Sequence, residues 1–303
     1  MLNKEIYDEM ASILGETHIS RDVPMKDFTS FRTGGNASFM VEPDTSDKIR
    51  RIVQYLSEKQ LPYYIIGNGT NMLFPDDGYE GVVIRIGSQY GKIGINGTVV
   101  TAQAGASLAA IASKTLEEGL TGFEFASGIP GTVGGGVVMN AGAYGGEMSQ
   151  VVLETACIDS RGDPARLQGE DHGFGYRRSR IQADGLIATE VTMAFEKGDR
   201  DEVRRKMAEL NARRRDKQPL NLPSAGSVFK RPEGYYSGQL IQECGLKGHT
   251  IGGAQVSDKH CGFIVNIGNA TSRDILDLIE CVRKTVYEKK GVLLEPEVKI
   301  IGG

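Results

Sequence analysis

A glycine-rich stretch at residues 128–147, GIPGTVGGGVVMNAGAYGGE, has a composition suited to binding a phosphate group. It contains eight glycines and one carboxylate but no lysine, arginine or histidine. Glycine adopts positive φ and lets another group come close to the backbone, although ordering it costs more entropy than ordering any other residue. Rows of main-chain N–H groups form anion-binding concavities without a basic side chain. The stretch is therefore predicted to hold a phosphate, and the alternative is a run of tight turns.

A second glycine segment, GNGTN at residues 67–71, supports the first interpretation. A nucleotide triphosphatase loop is disfavoured, because its G-x-x-x-x-G-K-[ST] pattern needs a lysine that neither segment contains. A dinucleotide-binding fold is disfavoured as well, since Met72 stands at the third glycine position of the fingerprint and blocks close helix-to-strand packing. Two separate loops rich in backbone donors remain, and together they predict a clasp for one diphosphate.

Six sequence blocks follow one another along the chain. They are FRTGGNA (31–37), IIGNGTNMLF (65–74), GFEFASGIPGTVGGGVVMNAGAYGGE (122–147), GYRRSR (175–180), SAGSVFKRP (224–232) and LEPEVKIIG (294–302). In this order they resemble the UDP-N-acetylenolpyruvoylglucosamine reductases, the flavin enzymes of bacterial peptidoglycan synthesis. The blocks span nearly the whole chain, and motifs so far apart make the match specific. The interval from Tyr176 to Ser227 is short, so the chain resembles the branch that lacks the inserted loop with its substrate-covering tyrosine.

The resemblance implies an α+β fold of the FAD-binding PCMH or vanillyl-alcohol-oxidase type. In this fold two α/β subdomains bind FAD, and a C-terminal α+β domain binds the substrate. FAD is expected to be held at its pyrophosphate by main-chain N–H groups. It is expected to bind non-covalently, because no histidine lies in either glycine segment. Tyr144 is expected either to line the flavin or to anchor the loop. The matching cofactor-binding residues are Gly67, Asn68, Gly69, Thr70, Asn71, Ser127, Gly128, Gly131, Thr132, Gly135, Asn140, Ala141 and Gly142.

The resemblance also implies a reaction. A hydride passes from NADPH to the flavin and then to the methylene carbon of an enolpyruvyl ether, which gives UDP-N-acetylmuramate. Charge then develops beside the reacting carbon, where cationic or hydrogen-bond-donating groups stabilise it. By match, Arg177 stabilises this charge, Glu297 acts with it, and Ser227 donates a proton to the strongly basic carbon. Three further residues match substrate contacts: Tyr176, Lys230 and His260.

Each catalytic candidate also has an ordinary structural interpretation. Arg177 is one of three neighbouring arginines, and an arbitrary member of such a set is usually solvated. Ser227 follows an Ala-Gly pair, as a turn or cap residue does. Glu297 in a terminal strand would face solvent together with Glu295, since strand side chains repeat every two residues. Only the joint match of all three favours a catalytic role.

Composition limits the classes of partner. The 303 residues are 40% hydrophobic and 24% charged, with a formal charge of −4 from 35 basic and 39 acidic residues. This balance gives no footprint for nucleic acid or an anionic membrane, so a small nucleotide-sugar substrate is the expected partner. The sequence contains no apolar run of about 20 residues and no signal-peptide pattern, which predicts a cytoplasmic protein. The four cysteines and four histidines are dispersed, and they predict neither a disulfide framework nor a metal site.

Local patterns predict the elements that position these loops. Asp44 or Thr45 is expected to cap one helix and Ser107 another. Thr271 and Asp274 have capping-box spacing ahead of a third helix. Strands are predicted in YYII, GVVIRIG, GTVVTAQAG, VVLETACIDSRGD, GLIATEVTMAFEKG and LLEPEVKIIG, the fourth and fifth in one antiparallel sheet.

A rise in charge density from Asp199 to Lys217, followed by the proline-punctuated QPLNLPSAG, predicts a domain boundary. Val203, Met207 and Leu210 form the only clear apolar face of this segment. The predicted domains are residues 1–88 as FAD-binding subdomain 1, completed by 293–303, residues 89–200 as FAD-binding subdomain 2, and residues 201–292 as the substrate-binding domain.

Two other functions fit parts of the sequence. A flavin oxidase that uses oxygen and a small alcohol or hydroxy acid would share the fold, and turnover with oxygen would favour it. A non-enzymatic nucleotide-sugar binding module would also use glycine loops for a diphosphate. A colourless protein that takes up no FAD would support that second alternative.

Overall fold

Eight α-helices lie within residues 4–302, the part of the chain that the computed structural model describes. They are α1 (Lys4–Leu14), α2 (Ser46–Glu58), α3 (Leu108–Glu117), α4 (Val133–Val138), α5 (Arg180–Ala183), α6 (Arg200–Lys217), α7 (Ser237–Glu243) and α8 (Ser272–Lys290). The predicted caps are confirmed. The side chains of Thr45 and Ser107 accept hydrogen bonds in the first turns of α2 and α3, and Thr271 and Asp274 form the capping box of α8.

The same range contains eighteen short strands. They are β1 (Ile19–Pro24), β2 (Asn36–Val41), β3 (Tyr63–Ile66), β4 (Met72–Leu73), β5 (Tyr79–Arg85), β6 (Ile93–Asn96), β7 (Val99–Gln103), β8 (Leu120–Thr121), β9 (Gly142–Ala143), β10 (Gly146–Glu147), β11 (Val152–Ile158), β12 (Pro164–Gln168), β13 (Ile187–Ala194), β14 (Glu196–Lys197), β15 (Thr250–Ile251), β16 (Ala254–Val256), β17 (Ile264–Asn266) and β18 (Lys299–Ile300). The predicted antiparallel pairing of the fourth and fifth segments is confirmed, since β11 pairs with β13. The predicted C-terminal strand is much shorter than expected.

The described residues divide into two units, and each unit is assembled from separate stretches of sequence. The first unit comprises the chain up to Arg21 together with Ser38–Asn68 and Glu80–Arg213. The second comprises Asp22–Ala37, Gly69–Tyr79 and the chain from Arg214 onward. The charged helix α6 buries the face predicted from its sequence, which consists of Val203, Met207 and Leu210.

The first unit is built on two sheets. A four-stranded sheet has the order β1-β2-β5-β3, with β3 and β5 parallel, and α1 and α2 supply Met10, Leu14 and Ile52 to its core. A five-stranded sheet has the order β12-β11-β13-β7-β6, in which each of the four neighbouring pairs is antiparallel. Its core includes Val133 and Val137 of α4, so this short helix packs directly against the sheet that supports it.

The second unit packs α7 and α8 with a three-stranded antiparallel sheet in the order β15-β16-β17. The α8 helix buries an apolar stripe at helical spacing, as its sequence predicts. A two-stranded parallel pair, β4 and β18, aligns Met72 with Lys299. Phe31 and Leu73 from the early segments complete the same core, so three distant parts of the sequence share it.

Two further searches cover the same residues. Among residues 4–302, no helix is both long enough and apolar enough to cross a bilayer. Within that range, no three His, Cys, Asp or Glu side chains are grouped so as to hold a metal ion. All four cysteines are free thiols, and burial raises the pKa of Cys157 to about 12.

Candidate functional site

The glycine run of residues 128–147 contains the short helix α4 rather than only turns. Thr132 caps this helix, since its Oγ1 accepts a hydrogen bond from the Gly135 N–H at 3.3 Å. A Cβ on Gly134 would lie 2.8 Å from Ala104 Cβ, and one on Gly146 would lie 2.5 Å from the Phe125 ring. These two glycines therefore serve close packing inside the unit, a need that the sequence did not reveal.

Several main-chain donors of this run are already bonded within the protein. The Val133 N–H donates to Ala106 O at 2.8 Å, and the Gly134 N–H donates to Ala104 O at 2.9 Å. The Ala141 N–H donates to Gly136 O at 2.8 Å. A diphosphate held by backbone N–H groups must therefore use other positions in the two predicted loops.

The start of the 67–71 loop, Gly67, meets the glycine run of residues 128–147 within the first unit. A Cβ on Gly67 would lie 2.4 Å from Thr132 Oγ1, so the loop after β3 lies against the cap of α4. Neither residues 67–71 nor residues 127–142 contain a carboxylate that would repel a diphosphate. The residues present thus fit the FAD pyrophosphate, although the individual contacts stay a prediction. Gly69 belongs to the second unit, where it is held in a left-handed conformation against Phe28 O.

Other predicted cofactor residues are variously placed. Asn68 is exposed, whereas Asn140 is fully buried. The Ser127 hydroxyl donates to Glu124 O at 2.9 Å and lies 3.3 Å from Asn211 Nδ2. Tyr144 is 42% exposed and has a left-handed backbone. Its two alternative roles, lining the flavin and anchoring the loop, stay predictions.

Arg177 lies in the first unit beside the end of the glycine run. Its Nη1 donates to Asn140 O at 3.3 Å, and its Nη2 donates to Gly142 O at 2.9 Å. Arg177 is half-buried, whereas the neighbouring Arg178 and Arg180 are exposed. The guanidinium also lies 5.0 Å from the centre of the Tyr176 ring. The structure therefore separates Arg177 from its solvated neighbours, which a sequence of three close arginines does not do.

Ser227 and Glu297 are brought together in the second unit by main-chain pairing. The Glu297 N–H donates to Val228 O at 2.7 Å, and Val228 immediately follows Ser227. Ser227 itself forms an antiparallel bridge with Phe263, and its hydroxyl donates to Phe229 O at 3.2 Å. Here the predicted terminal strand fails, because residues 296–297 pair with the segment after Ser227 rather than extending β18.

His260 and Asn71 flank these two residues. Gly262 separates the His260 ring from the Ser227 hydroxyl, since a Cβ there would lie 3.0 Å from His260 Cε1 and 3.4 Å from Ser227 Oγ. Burial, and secondarily the charge of Lys217, lower the pKa of His260 below its usual value. Asn71 Nδ2 donates to Glu297 O at 3.2 Å.

Lys230 and Lys299 add positive charge near Ser227 and Glu297 in the second unit. Lys230 Nζ lies 3.1 Å from Glu295 Oε2 in an ion pair. Burial, together with the charge of Lys230, lowers the pKa of Lys299. Sequence reasoning missed Lys299, although its position two residues after Glu297 in a predicted strand was the available signal.

Comparisons with known proteins decide the family. Residues 37–168 match a family model described as an FAD binding domain, and residues 218–301 match the model of the UDP-N-acetylenolpyruvoylglucosamine reductase C-terminal domain. The chain is 49% identical over 296 residues to the UDP-N-acetylenolpyruvoylglucosamine reductase of Alkaliphilus oremlandii, with 98% of this chain and 97% of the relative covered. The chain belongs to the UDP-N-acetylenolpyruvoylglucosamine reductase family.

Solved structures agree with membership of this reductase family. The UDP-N-acetylenolpyruvylglucosamine reductase of Thermus caldophilus superposes with a TM-score of 0.80 at 34% identity, covering 93% of this chain and 98% of that one. A glucose dehydrogenase, Phl p 4.0202, superposes with a TM-score of 0.50 at 12% identity, covering 65% of this chain and 45% of that one. The second likeness shows the fold alone. The predicted FAD-binding PCMH-type fold is confirmed, and this member of the reductase family is an FAD-dependent oxidoreductase.

Proposed function

We propose that the protein reduces UDP-N-acetylenolpyruvoylglucosamine to UDP-N-acetylmuramate with electrons from NADPH, in the synthesis of peptidoglycan precursors. The observation that carries this proposal is the relationship to the Alkaliphilus oremlandii reductase over 98% of the chain. The organisation of the candidate residues supports it. Arg177 is fixed beside the glycine run, and Ser227 lies beside Glu297 in the second unit.

FAD, when bound, supplies the hydride chemistry at flavin N5. The segments around Gly67 and Thr132 would hold its pyrophosphate, and the absence of carboxylates from residues 67–71 and 127–142 allows this. Arg177 would stabilise the negative charge that develops next to the reacting carbon, because a guanidinium presents several donors in a fixed fork.

Ser227 would supply the proton to the substrate carbon. The Ser227 backbone is fixed by its bridge with Phe263, and its hydroxyl donates a hydrogen bond to Phe229 O at 3.2 Å. The hydroxyl would turn from Phe229 O to the substrate, while the main-chain bridge keeps the local fold. Glu297 would act on the same charge, either as a protonated donor or by polarising a neighbouring group. His260, whose pKa is lowered by burial, would be neutral at pH 7 and would contact the substrate as a hydrogen-bonding group.

An anaerobic two-step experiment tests this function. The purified protein should be yellow, its flavin should be bleached by NADPH, and addition of the enolpyruvyl nucleotide sugar should restore the oxidised spectrum. Reoxidation by oxygen but not by the nucleotide sugar would support the flavin oxidase instead. A colourless protein that takes up no added FAD would support the binding module.

Two predictions from the sequence belong to the same proposal. One is the division into three domains, in which the third binds the substrate. The domains are residues 1–88 with 293–303, residues 89–200, and residues 201–292. The cytoplasmic location also remains a prediction.

A further inference from the structure

Asn140 joins the end of the glycine run to the segment that carries Arg177. Its Nδ2 donates to Gly175 O at 3.1 Å, and its main-chain O accepts from Arg177 Nη1 at 3.3 Å. Its Oδ1 accepts from the Ser149 N–H at 2.9 Å. The residue is fully buried, and both ends of its side-chain amide are bonded to protein groups.

The backbone at both ends of this connection is left-handed. Asn140 has φ of 42° and Arg177 has φ of 54°. For L-residues other than Asn and Asp this conformation is sterically unfavourable, so surrounding contacts must hold Arg177 in place. Asparagine tolerates the conformation, and its amide supplies one of those contacts two residues before Arg177.

A hydrogen bond from Ser179 supports the same segment. Ser179 Oγ donates to Val138 O at 2.7 Å, which ties the residue after Arg178 to the last residue of α4. Residues 175–179 are thus bonded to α4 and to the turn that follows it. Asn140 is the member of this set that contacts the Arg177 segment through both its side chain and its main chain.

We propose that Asn140 is a positioning residue, which fixes the guanidinium of Arg177 rather than touching FAD. This inference rests on the proposed function, in which Arg177 stabilises charge on the substrate. Loss of the Asn140 amide would release Gly175 and leave two left-handed residues less supported. The guanidinium would then move, and the step that needs it would slow while electron uptake from NADPH would not.

The kinetic test compares Asn140→Gly with the wild type in anaerobic half-reactions of the FAD-loaded protein. Glycine adopts the left-handed backbone without strain, and the substitution removes the side chain that carries the amide. Reduction by NADPH should stay within about twofold of wild type, whereas reoxidation by the enolpyruvyl substrate should slow by about tenfold to one-hundredfold, the usual cost of an approximately 1 Å misplacement. FAD content should be unchanged. Equal slowing of both steps, or loss of FAD with a normal reoxidation rate after reconstitution, would overturn the proposal.

Asn269→Gly is the matched control variant. Asn269 also has a left-handed backbone, with φ of 54°, but lies exposed in the second unit, so both half-reactions should match wild type. A second variant, Asn140→Asp, keeps the Ser149 contact and removes the donor to Gly175. It should show the same asymmetry between the half-reactions, and its rates would decide the proposal if Asn140→Gly did not fold.

A double-mutant cycle asks whether Asn140 acts through Arg177. In an Arg177→Lys background, Asn140→Gly should slow reoxidation by less than about threefold, because the group that it positions is already gone. Full additivity of the two effects would mean that Asn140 acts elsewhere.

Hydrogen exchange supplies a readout that does not depend on turnover. The Gly175 and Arg178 amides donate to each other's carbonyl oxygens at 3.1 and 3.3 Å, so both should be protected in the wild type. In Asn140→Gly they should exchange about tenfold faster, while the Ala183 amide in α5 should not change. Unchanged exchange at residues 175–178 would overturn the positioning role of Asn140, whatever the activity of the wild type. Failure of the wild type to reduce the nucleotide sugar would count only against the proposed function.

Discussion

The Arg177 group in the first unit and the Ser227 group in the second are held in place by different kinds of contact. Arg177 sits on a left-handed backbone, and its guanidinium donates to the Asn140 and Gly142 carbonyl oxygens. Ser227 and Glu297 are instead fixed through main-chain pairing with Phe263 and Val228. Side-chain substitutions should therefore disturb local structure at the first group but leave the scaffold of the second intact.

The largest effect on a rate is expected at the Ser227 group. Ser227→Ala should leave reduction by NADPH nearly unchanged and slow flavin reoxidation by the enolpyruvyl substrate by about a hundredfold to ten-thousandfold, since general acids contribute that much. Stopped-flow absorbance of the two anaerobic half-reactions measures this. Glu297→Gln should show the same asymmetry. Equal loss in both half-reactions would contradict the proton-donor role.

A smaller effect with a structural component is expected at the first group. Arg177→Lys should slow reoxidation by about a hundredfold, because an ammonium cannot reproduce the paired donors aimed at the two carbonyl oxygens and the developing charge. Arg180→Lys is the control, since Arg180 is exposed and pairs with Asp184. Similar rates for the two variants would remove the distinction between Arg177 and its neighbours.

The packing of α4, to which the Arg177 segment is bonded, is tested by the free energy of unfolding. Gly134→Ala should lower the free energy of unfolding by about 1–3 kcal/mol, because its Cβ would crowd Ala104. Gly135→Ala is the neighbouring control, since its Cβ would meet only Thr132 Oγ1 at 3.6 Å, and alanine favours a helix over glycine by about 1 kcal/mol. Urea titrations of both variants give the comparison, and equal destabilisation would show that the close approach to Ala104 is unimportant.

The smallest effect concerns pH. Since burial lowers the pKa of His260 below 6.5 in the folded state, the unfolded chain binds the proton more readily. Protonation of His260 therefore leaves the free energy of unfolding unchanged above pH 6.5 and lowers it as the pH falls from 6.5 towards the pKa of the folded state. His260→Gln should flatten this decline, as measured by the free energy of unfolding between pH 7.5 and 5. An unchanged slope would mean that other groups set the acid sensitivity.

Sequence patterns predicted the features that depend on neighbouring residues. The Ser107 cap and the Thr271–Asp274 capping box were predicted correctly, and Thr45 is the one of the two candidates, Asp44 and Thr45, that caps α2. Each of these features requires residues only a few positions apart. The pairing of β11 with β13 followed from alternation and turn signals.

Features that depend on distant residues could not be predicted in this way. The packing of Gly134 on Ala104 requires the fold itself, so the glycine run looked like a binding loop throughout. A strand was predicted in LLEPEVKIIG, but only Lys299–Ile300 form one, and Pro296 bridges Phe229 instead. Nothing in GYRRSR indicated that Arg177 is left-handed and half-buried while Arg178 is exposed. The catalytic set was accessible only through resemblance to a family, and its roles stay predictions.

The interleaving of the two units limits how this protein can be recombined. A gene fragment that encodes everything from Arg214 onward is not a transferable cassette, because Asp22–Ala37 and Gly69–Tyr79 also belong to the second unit. Phe31 and Leu73 would be missing from such a fragment, so its core would have to pack against the recipient's residues at these positions. Chimeras between diverged relatives should therefore fold only when all three segments are exchanged together.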